Sequence, residues 1–473
     1  MGQEIDQRRF TDDDFARFRE RLAVETRLVV ERIEAFSGDR VPYRIGCELE
    51  SCLVDPRSGG PAPDNERLIA ALDDPMVVPE LSRFDFELNA SPALLAGDGF
   101  AQLQADLHAR WLRCAGAASS LDRRAAMIGI LPTLREGDLT LANMSHGNRY
   151  AALNDQVMAL RGGRPIHIDL DGVERLELDH GDVMLESAAT SFQVHLEVDP
   201  RDAARFYNAS KIASALTVGC GANSPFLFGR NLWAETRIPL FEQSVDVGAP
   251  ESGQRVSFGI DYARDSITEC FTGNLHRYPV LLPLVAADHP PTDLAHLRLH
   301  NGTIWRWNRP LVSLTDDAVS VRIEHRVLPA GPTVLDAMAN AAFYVGLAIA
   351  LAESADPPEQ RLDFSAADTN FYSAAREGLA ARVRWLDGRS HDLNDLVAGA
   401  GLKLARDGLR RGGVDADLAG DLLAVIAERV RRGQNGAAWQ RAWVEHHGRD
   451  LAGLTAAYLE LQDRGTPVHQ WPV

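Results

Sequence analysis

The chain has 473 residues, of which 45% are hydrophobic and 25% charged, a composition typical of a globular protein with a large buried core. Its formal net charge of −18 argues against nucleic acid and anionic membranes as partners, because both bind basic surfaces. Small molecules are therefore the expected partners.

Three further features bear on where the protein works. The first nine residues lack the apolar core of a signal peptide. The five cysteines are scattered and form no Cys-x-x-Cys pair, so neither a disulfide framework nor a zinc site is indicated. The longest uncharged apolar run, between Asp336 and Glu353, is shorter than the ~20 residues of a membrane span and predicts a buried helix. We expect a cytoplasmic protein that does not bind membranes.

The first predicted element is a helix. Thr11 and the three aspartates after it form an N-cap signal, and the acidic first turn suits the helix dipole. Apolar residues then recur at helical spacing from Phe15 to Phe36. This pattern predicts an N-terminal helix within residues 1–40.

A strand with two glutamates follows. Residues 44–54 are bounded by apolar positions and end at an Asp-Pro turn, which is typical of a strand. Side chains alternate along a strand, so Glu48 and Glu50 lie on one face. Like charges this close repel unless a cation lies between them. The pair predicts a divalent-metal site, although a solvated edge strand has the same spacing.

Two later segments repeat the alternation. Residues 77–92 and residues 190–200 each indicate a strand with three polar side chains on one face. The first set is Asp85, Glu87 and Asn89, and the second is Gln193, His195 and Glu197. Taken alone, His195 is more typical of a hydrogen-bonded sheet histidine than of a metal ligand.

The last predicted strand spans residues 318–329. It places Glu324 on one face between Arg322 and Arg326. A surface ladder of ion pairs has this pattern, and so does a carboxylate that holds a metal ion beside two arginines. From Thr333 onward the sequence is predominantly helical.

Together these elements predict an α+β fold. No Walker A motif, Rossmann fingerprint, serine elbow or HExxH motif is present. One antiparallel or mixed sheet built from the strands would carry its carboxylates on a concave catalytic face, able to hold two or three magnesium ions. Such a face suits phosphoryl transfer. We predict an N-terminal helix in residues 1–40, a sheet region with inserted helices in 41–332, and a helical region in 333–473 packed on the same domain.

Several short motifs occur in a fixed order along the chain. In the sheet region they are Gly46-Cys-Glu-Leu-Glu, Phe86-Glu-Leu-Asn, Val194-His195, Ala222-Asn-Ser-Pro-Phe with Gly229-Arg230, and Ile323-Glu-His-Arg. In the helical tail they are Asn370-Phe-Tyr-Ser-Ala-Ala-Arg and Gly436-Ala-Ala-Trp-Gln-Arg. Together they resemble the motifs of the glutamate–cysteine ligase family, in particular its bacterial and plant-type branch and its carboxylate–amine ligase relatives. The resemblance extends from about Tyr43 to Arg441 and implies the glutamine-synthetase-like fold.

The resemblance also implies roles for individual residues. The implied metal ligands are Glu48, Glu50, Glu80, Glu87, His195 and Glu324. Glu324 and Arg326 are the implied catalytic pair, in which Arg326 meets the γ-phosphate of ATP. Arg309 and Gln193 are expected at the nucleotide, and Arg230 and Arg309 at the substrate. Gln193 stands where the family usually has a histidine, a departure that bears on substrate identity.

The implied activity is ATP-dependent formation of an amide, of the γ-glutamyl type, through an acyl phosphate. Mg²⁺ is the expected cofactor beside ATP, with Mn²⁺ as an alternative. Glutamate and cysteine are the default substrates, and a homo-oligomer stays open. Two other functions remain: a phosphotransferase of the guanidino-kinase type, which shares this fold, and a catalytically silent nucleotide-binding protein.

Overall fold

The computed structural model describes residues 7–248, 253–285, 289–315 and 318–473. The strands are β1 (Arg44–Val54), β2 (Val77–Pro79), β3 (Asp85–Asn89), β4 (Ala93–Leu94), β5 (Arg124–Ala126), β6 (Ile166–Asp171), β7 (Arg175–His180), β8 (Ser191–Val198), β9 (Phe226–Leu227), β10 (Arg230–Asn231), β11 (Asn308–Leu314), β12 (Val319–Pro329), β13 (Arg382–Arg384) and β14 (Ser390–Asp392). The helices are α1 (Asp12–Glu34), α2 (Asn65–Leu72), α3 (Gly99–Ser120), α4 (Asn148–Leu160), α5 (Ala203–Gly221), α6 (Arg237–Ser244), α7 (Thr268–Arg277), α8 (Ala295–Asn301), α9 (Val334–Ala352), α10 (Phe364–Glu377), α11 (Leu393–Leu396), α12 (Leu402–Arg411), α13 (Ala416–Arg432), α14 (Gly436–His447) and α15 (Leu451–Asp463).

Eight strands form one curled antiparallel sheet. Its order is β11-β12-β8-β1-β3-β2, and β4 and β5 pair with β1 beside this path. Three hairpin-like pairs, β6 with β7, β9 with β10 and β13 with β14, lie apart from it. The predicted α+β fold with an antiparallel sheet and a helical C-terminal region is confirmed.

The register of the central strands brings the polar residues of the sequence motifs side by side. Directly opposite one another are Glu50 and Glu87, Glu48 and Gln193, and Glu324 and His195. Cross-strand partners project from the same face of a sheet. The residues between them, such as Leu49, Val194 and Ile323, are fully buried on the other face. One face is therefore the apolar core, and the other gathers the charges.

The N-terminal helix forms as its sequence predicts. Thr11 accepts a hydrogen bond from the backbone of Asp14, whose carboxylate accepts in return from the backbone of Thr11, a complete capping box. The apolar stripe of α1 is buried and packs near α7 and α8. Residues 1–6 of the predicted N-terminal region lie outside the described residues.

Two buried helices pack beside the sheet. α5 contacts β12 and α9, and α9 also contacts α12 and α13. The approach of α9 to α12 is close: a Cβ added to Gly346 would collide with the backbone oxygen of Ala405. Among the described residues, α9 is the one helix that is long and apolar enough to cross a membrane. However, 94% of its apolar 18-residue window is buried inside the protein. The apolar run is a core helix, as predicted.

A buried ion pair ties the C-terminal helices to the core. Asp336, in the first turn of α9, accepts hydrogen bonds from Nη2 of Arg429 on α13 at 2.8 Å and from the backbone N–H of Val468 at 3.1 Å. Neither side chain of the ion pair is more than 1% exposed. Nη1 of Arg429 also donates to the backbone oxygen of Cys220 at the end of α5, at 3.2 Å, so the helices after residue 333 contact the sheet region. The boundaries at residues 40 and 332 stay predictions.

Candidate active site

A cavity of about 480 Å³ lies over the charged face of the sheet. Among the residues that line it are Glu48, Glu50, Glu80, Glu87, Gln193, Arg309, Glu324 and Arg326. They come from five strands and from the turn that follows β2. The structure therefore brings most of the predicted site residues into one space.

The first cluster of ligand atoms is Glu48, His195 and Glu324, which offer one atom each within 4.8 Å of one another. Burial alone would raise the pKa values of both carboxyl groups. The neighbouring imidazole of His195 lowers the pKa of Glu48 instead, and Arg309 and Arg326 lower the pKa of Glu324 to about 2. Both carboxylates are therefore ionised at neutral pH.

The imidazole of His195 is unusual in its hydrogen bonding. Both of its ring nitrogens are buried, and neither makes a hydrogen bond to a described residue. Nε2 lies 3.2 Å from Oε1 of Glu48, close enough for an ion pair but without hydrogen-bond geometry. A buried ring nitrogen without a partner is costly unless it binds something. A buried ring nitrogen of His195 without a hydrogen bond therefore fits the role of a metal ligand.

The second cluster consists of carboxyl groups only. Glu50, Glu80 and Glu87 also offer ligand atoms within 4.8 Å of one another. Burial, with the nearby charge of Glu48, raises the pKa of Glu87 to about 8, and burial with the charges of Glu87 and Glu50 raises the pKa of Glu80 well above its usual value. Oxygen-only ligands suit a hard cation such as Mg²⁺ or Mn²⁺. The residues present thus fit two divalent cations.

Two arginines and a glutamine connect these clusters. Arg309 donates from Nε and Nη2 to the two oxygens of Glu324, at 2.6 and 3.0 Å. Arg326 donates to Oε1 of Gln193, whose Nε2 donates to Glu50 at 2.9 Å. Nη1 of Arg326 is 3.6 Å from Glu324. The guanidinium groups therefore lie where an anion above the carboxylates would meet them.

Several residues that line the site were not among the site residues predicted from the sequence. Glu186 lines the cavity from a 3-10 turn, and burial with the charge of Glu50 raises its pKa to about 8. Arg149 and Tyr150 line it from the start of α4. Arg237 is 2% exposed and lines a small recess beside Glu50 and Arg326. Arg149 and Tyr150 lie in a polar stretch of the sequence and Arg237 lies seven residues after Arg230, but no spacing pattern marks any of the three.

Arg230 lies elsewhere. It is on β10, its side chain is half exposed, and its Nη1 is 3.7 Å from a carboxylate oxygen of Glu174. It is not among the described residues that line the cavity. The role of Arg230 at the substrate stays a prediction. Arg237, seven residues further along the chain, is the arginine that the fold brings to the recess.

This arrangement can hold cations and a polyphosphate together. Two groups of carboxyl ligands lie beside two guanidinium groups in one cavity. Carboxylates bind divalent cations, and cations and arginines together offset the charge on a transferring phosphoryl group. The site suits phosphoryl transfer from a nucleotide.

Comparisons with known proteins identify the family of the chain and its fold. Residues 44–456 match the family model described as glutamate–cysteine ligase family 2. A glutamate–cysteine ligase from Francisella tularensis, solved in complex with AMP, has 11% sequence identity and a TM-score of 0.52, with 92% of this chain and 90% of that chain covered. A bifunctional glutathione synthetase from Pasteurella multocida has 11% identity and a TM-score of 0.54. The match covers 95% of this chain and 54% of that protein, so this chain spans about half of its length. At these identities the structures show a shared fold. No sequence among the curated proteins matches the chain.

Proposed function

The chain belongs to glutamate–cysteine ligase family 2 and is an ATP-dependent carboxylate–amine ligase, and we propose that it forms a γ-glutamyl-type amide through an acyl phosphate. The observation that supports this proposal is the pair of carboxyl clusters beside Arg309 and Arg326 in one cavity. Glutamate and cysteine are the default substrates. We place the protein in the cytoplasm, and a homo-oligomer stays open.

Each residue would act through its observed contacts. Glu48, His195 and Glu324 would hold one divalent cation, and Glu50, Glu80 and Glu87 a second. Bound Mg²⁺ or Mn²⁺ would offset the charge of the phosphates. Arg326 is oriented by Gln193 and faces the same space, where it would stabilise the charge that develops on the γ-phosphoryl group.

The chemistry proceeds in two steps. An oxygen of the substrate carboxylate forms a bond to the γ-phosphorus as the bond to the β-phosphate oxygen breaks, which releases ADP. The amine nitrogen then forms a bond to the acyl carbon, the phosphate leaves, and the amine gives up a proton. Arg309 and Arg326 line the cavity and would act in the first step, where their charge would offset that of the transferring group. Arg230 is proposed to contact substrate only by family resemblance.

The test is a screen for ADP release with carboxylates and amines offered in pairs, followed by mass spectrometry of the product. With ¹⁸O in the substrate carboxylate, one ¹⁸O atom should move to inorganic phosphate if an acyl phosphate forms. EDTA should abolish turnover, and added Mg²⁺ should restore it.

Two outcomes would favour the other functions. ADP release with a single acceptor and a phosphorylated product would indicate a phosphotransferase of the guanidino-kinase type. Binding of ATP without turnover across the whole panel would indicate a nucleotide-binding protein.

A further inference from the structure

The ion pair between Arg309 and Glu324 occupies a carboxylate that the proposed function assigns to a metal ion. Nε and Nη2 of Arg309 bond both oxygens of Glu324, at 2.6 and 3.0 Å. The same carboxylate belongs to the cluster with Glu48 and His195. A cation that binds Glu324 must therefore either share these oxygens with Arg309 or replace it.

Burial explains why this pair forms. Glu324 is 2% exposed and Arg309 is 13% exposed. A buried carboxylate without a partner is strongly destabilising, and a bidentate guanidinium is among the strongest hydrogen-bonding partners that a side chain can supply. Arg309 is therefore the bidentate counter-ion of Glu324.

The arrival of a divalent cation changes this balance. Sharing would bring a double positive charge beside the guanidinium groups of Arg309 and Arg326, with only the carboxylates of Glu324 and Glu48 in the cluster to offset them. Like charges at such separations repel strongly in a protein interior. Arg326 is fixed by its bond to Gln193. Arg309 has one other hydrogen bond, from Nη1 to the backbone oxygen of Asn301 at 3.2 Å, and that residue also lines the cavity.

We infer that Arg309 is an exchangeable counter-ion: it holds Glu324 in the metal-free protein, and a divalent cation displaces it toward the cavity, where its guanidinium binds the polyphosphate of the nucleotide. The inference rests on the proposed function, because it takes Glu324 as a metal ligand. It links the binding of metal to the binding of nucleotide through one side chain.

The test compares Mn²⁺ binding without nucleotide in the parent protein and in Arg309→Met, measured from the signal of free Mn²⁺ by electron paramagnetic resonance. The variant should bind Mn²⁺ about tenfold more tightly or better, since the competing charge is gone. In EDTA it should melt at a lower temperature than the parent, and saturating Mn²⁺ should narrow that difference. A non-hydrolysable ATP analogue should bind it more weakly in the presence of Mn²⁺.

Two further variants make the result specific. Arg322→Met removes the same charge from an exposed arginine that lines the same cavity, and should change the Mn²⁺ affinity by less than about threefold. Arg309→Lys keeps the charge but cannot bond both oxygens in parallel, so its Mn²⁺ affinity should lie between those of the parent and Arg309→Met. It also replaces Arg309→Met if that protein does not fold.

Weaker or unchanged Mn²⁺ binding in folded Arg309→Met or Arg309→Lys would overturn the exchange and leave Arg309 as a residue that only positions Glu324. An equal gain in Mn²⁺ affinity in Arg322→Met would overturn the exchange as well, since removal of any nearby positive charge would then have the same effect. These outcomes are separate from the proposed function, which fails if the parent protein forms no amide product with any pair of carboxylate and amine.

Discussion

Glu324 is a buried carboxylate between two guanidinium groups and an imidazole. Although burial opposes ionisation, Arg309 and Arg326 hold its pKa at about 2. Glutamine has the same shape and can still accept hydrogen bonds, but it lacks the charge that a divalent cation needs from a ligand. Glu324→Gln therefore tests charge rather than packing.

We predict that Glu324→Gln lowers kcat by about 10² to 10³, a loss typical of removing one preorganised electrostatic group. The measurement is kcat at saturating ATP and Mg²⁺ on protein shown to be folded. Glu197→Gln is the matched control. Glu197 lies on the same face of β8, but its partners are Ser320 and Arg44, and it does not line the cavity. If kcat of Glu324→Gln stays within about threefold of the parent, the site assignment is wrong.

Lys211 is a buried amine among aromatic rings. It is 0% exposed, and its Nζ lies 4.7 Å from the ring centre of Phe258 and 4.8 Å from that of Tyr207. Its ammonium donates to the backbone oxygen of Phe258. Burial, with the nearby charge of Arg306, lowers the pKa of Lys211 to about 7.

This pKa makes the stability depend on pH. Between pH 7 and about 10, the unfolded chain holds a proton on Lys211 that the folded chain has released, so the free energy of unfolding contributed by this group rises with pH. Lys211→Met removes the effect. We expect the variant to be more stable than the parent at pH 7, and its advantage to shrink as the pH is raised to 9.5. Urea denaturation at several pH values measures this difference, and an advantage that grows with pH would contradict the prediction.

At the scale of secondary-structure elements, the strands were the predictable part of the site. Alternation along a strand fixes which side chains share a face, and this placed Glu48 beside Glu50 before any tertiary contact was known. The positions of His195 and Glu324 depend on strand order, which alternation does not give. The expectation that both residues join the site came from the family resemblance, which carries over the roles of the matching motif residues.

The elements outside the central strands were not predictable in this way. Glu186 lies on an isolated 3-10 turn, and only the path of the chain brings it to Glu50. Arg237 begins α6, where its spacing has no pattern to mark it. Their placement follows from long-range packing, whereas the motif that contained Arg230 pointed to an arginine outside the cavity wall.

Helix α1 supports one wall of the cavity. Glu25 accepts a hydrogen bond from Nδ1 of His296 at 2.6 Å and from the backbone N–H of Leu297 at 2.7 Å, both at the start of α8. Glu25 and His296 are almost fully buried. Leu297, Arg298 and later residues of α8 line the cavity. An acidic side chain at the start of a helix satisfies its free backbone groups and suits its dipole.

We expect Glu25→Ala to destabilise the protein by about 1 to 3 kcal/mol, because buried donors lose their acceptor. The cavity wall would shift with α8, so the KM of the ligand that lies on it should rise more than kcat falls. Steady-state kinetics for each substrate and urea denaturation measure the two effects. Glu31→Ala, an exposed position on the same helix, should change neither. Unaltered KM values in a destabilised Glu25→Ala would limit the role of Glu25 to stability.

At the scale of the whole molecule, the pair of Asp336 and Arg429 connects the buried helix α9 with α13 inside the helical C-terminal region. Arg429 also donates to the backbone oxygen of Cys220 at the end of α5. Removal of one partner leaves a buried charge without compensation. We predict that Asp336→Ala lowers the free energy of unfolding by about 3 to 5 kcal/mol and exposes residues 464–473 to proteolysis.

The double variant Asp336→Leu with Arg429→Met is the control. It removes both charges and should recover much of the lost stability. Urea midpoints of the three proteins test the prediction. A double variant less stable than Asp336→Ala would show that the hydrogen bonds to Val468 and Cys220, and not the ion pair, hold the region.

The burial of α9 has a consequence for the lifetime of the protein. Heating that opens the core releases a segment that is uncharged from residue 337 to residue 352 and that water solvates poorly. Released segments of this kind associate between molecules faster than a chain of 473 residues refolds. We therefore expect heat inactivation to be irreversible and set by the rate of opening, so that the apparent melting temperature rises with scan rate in calorimetry. A second scan that reproduces the first would contradict this.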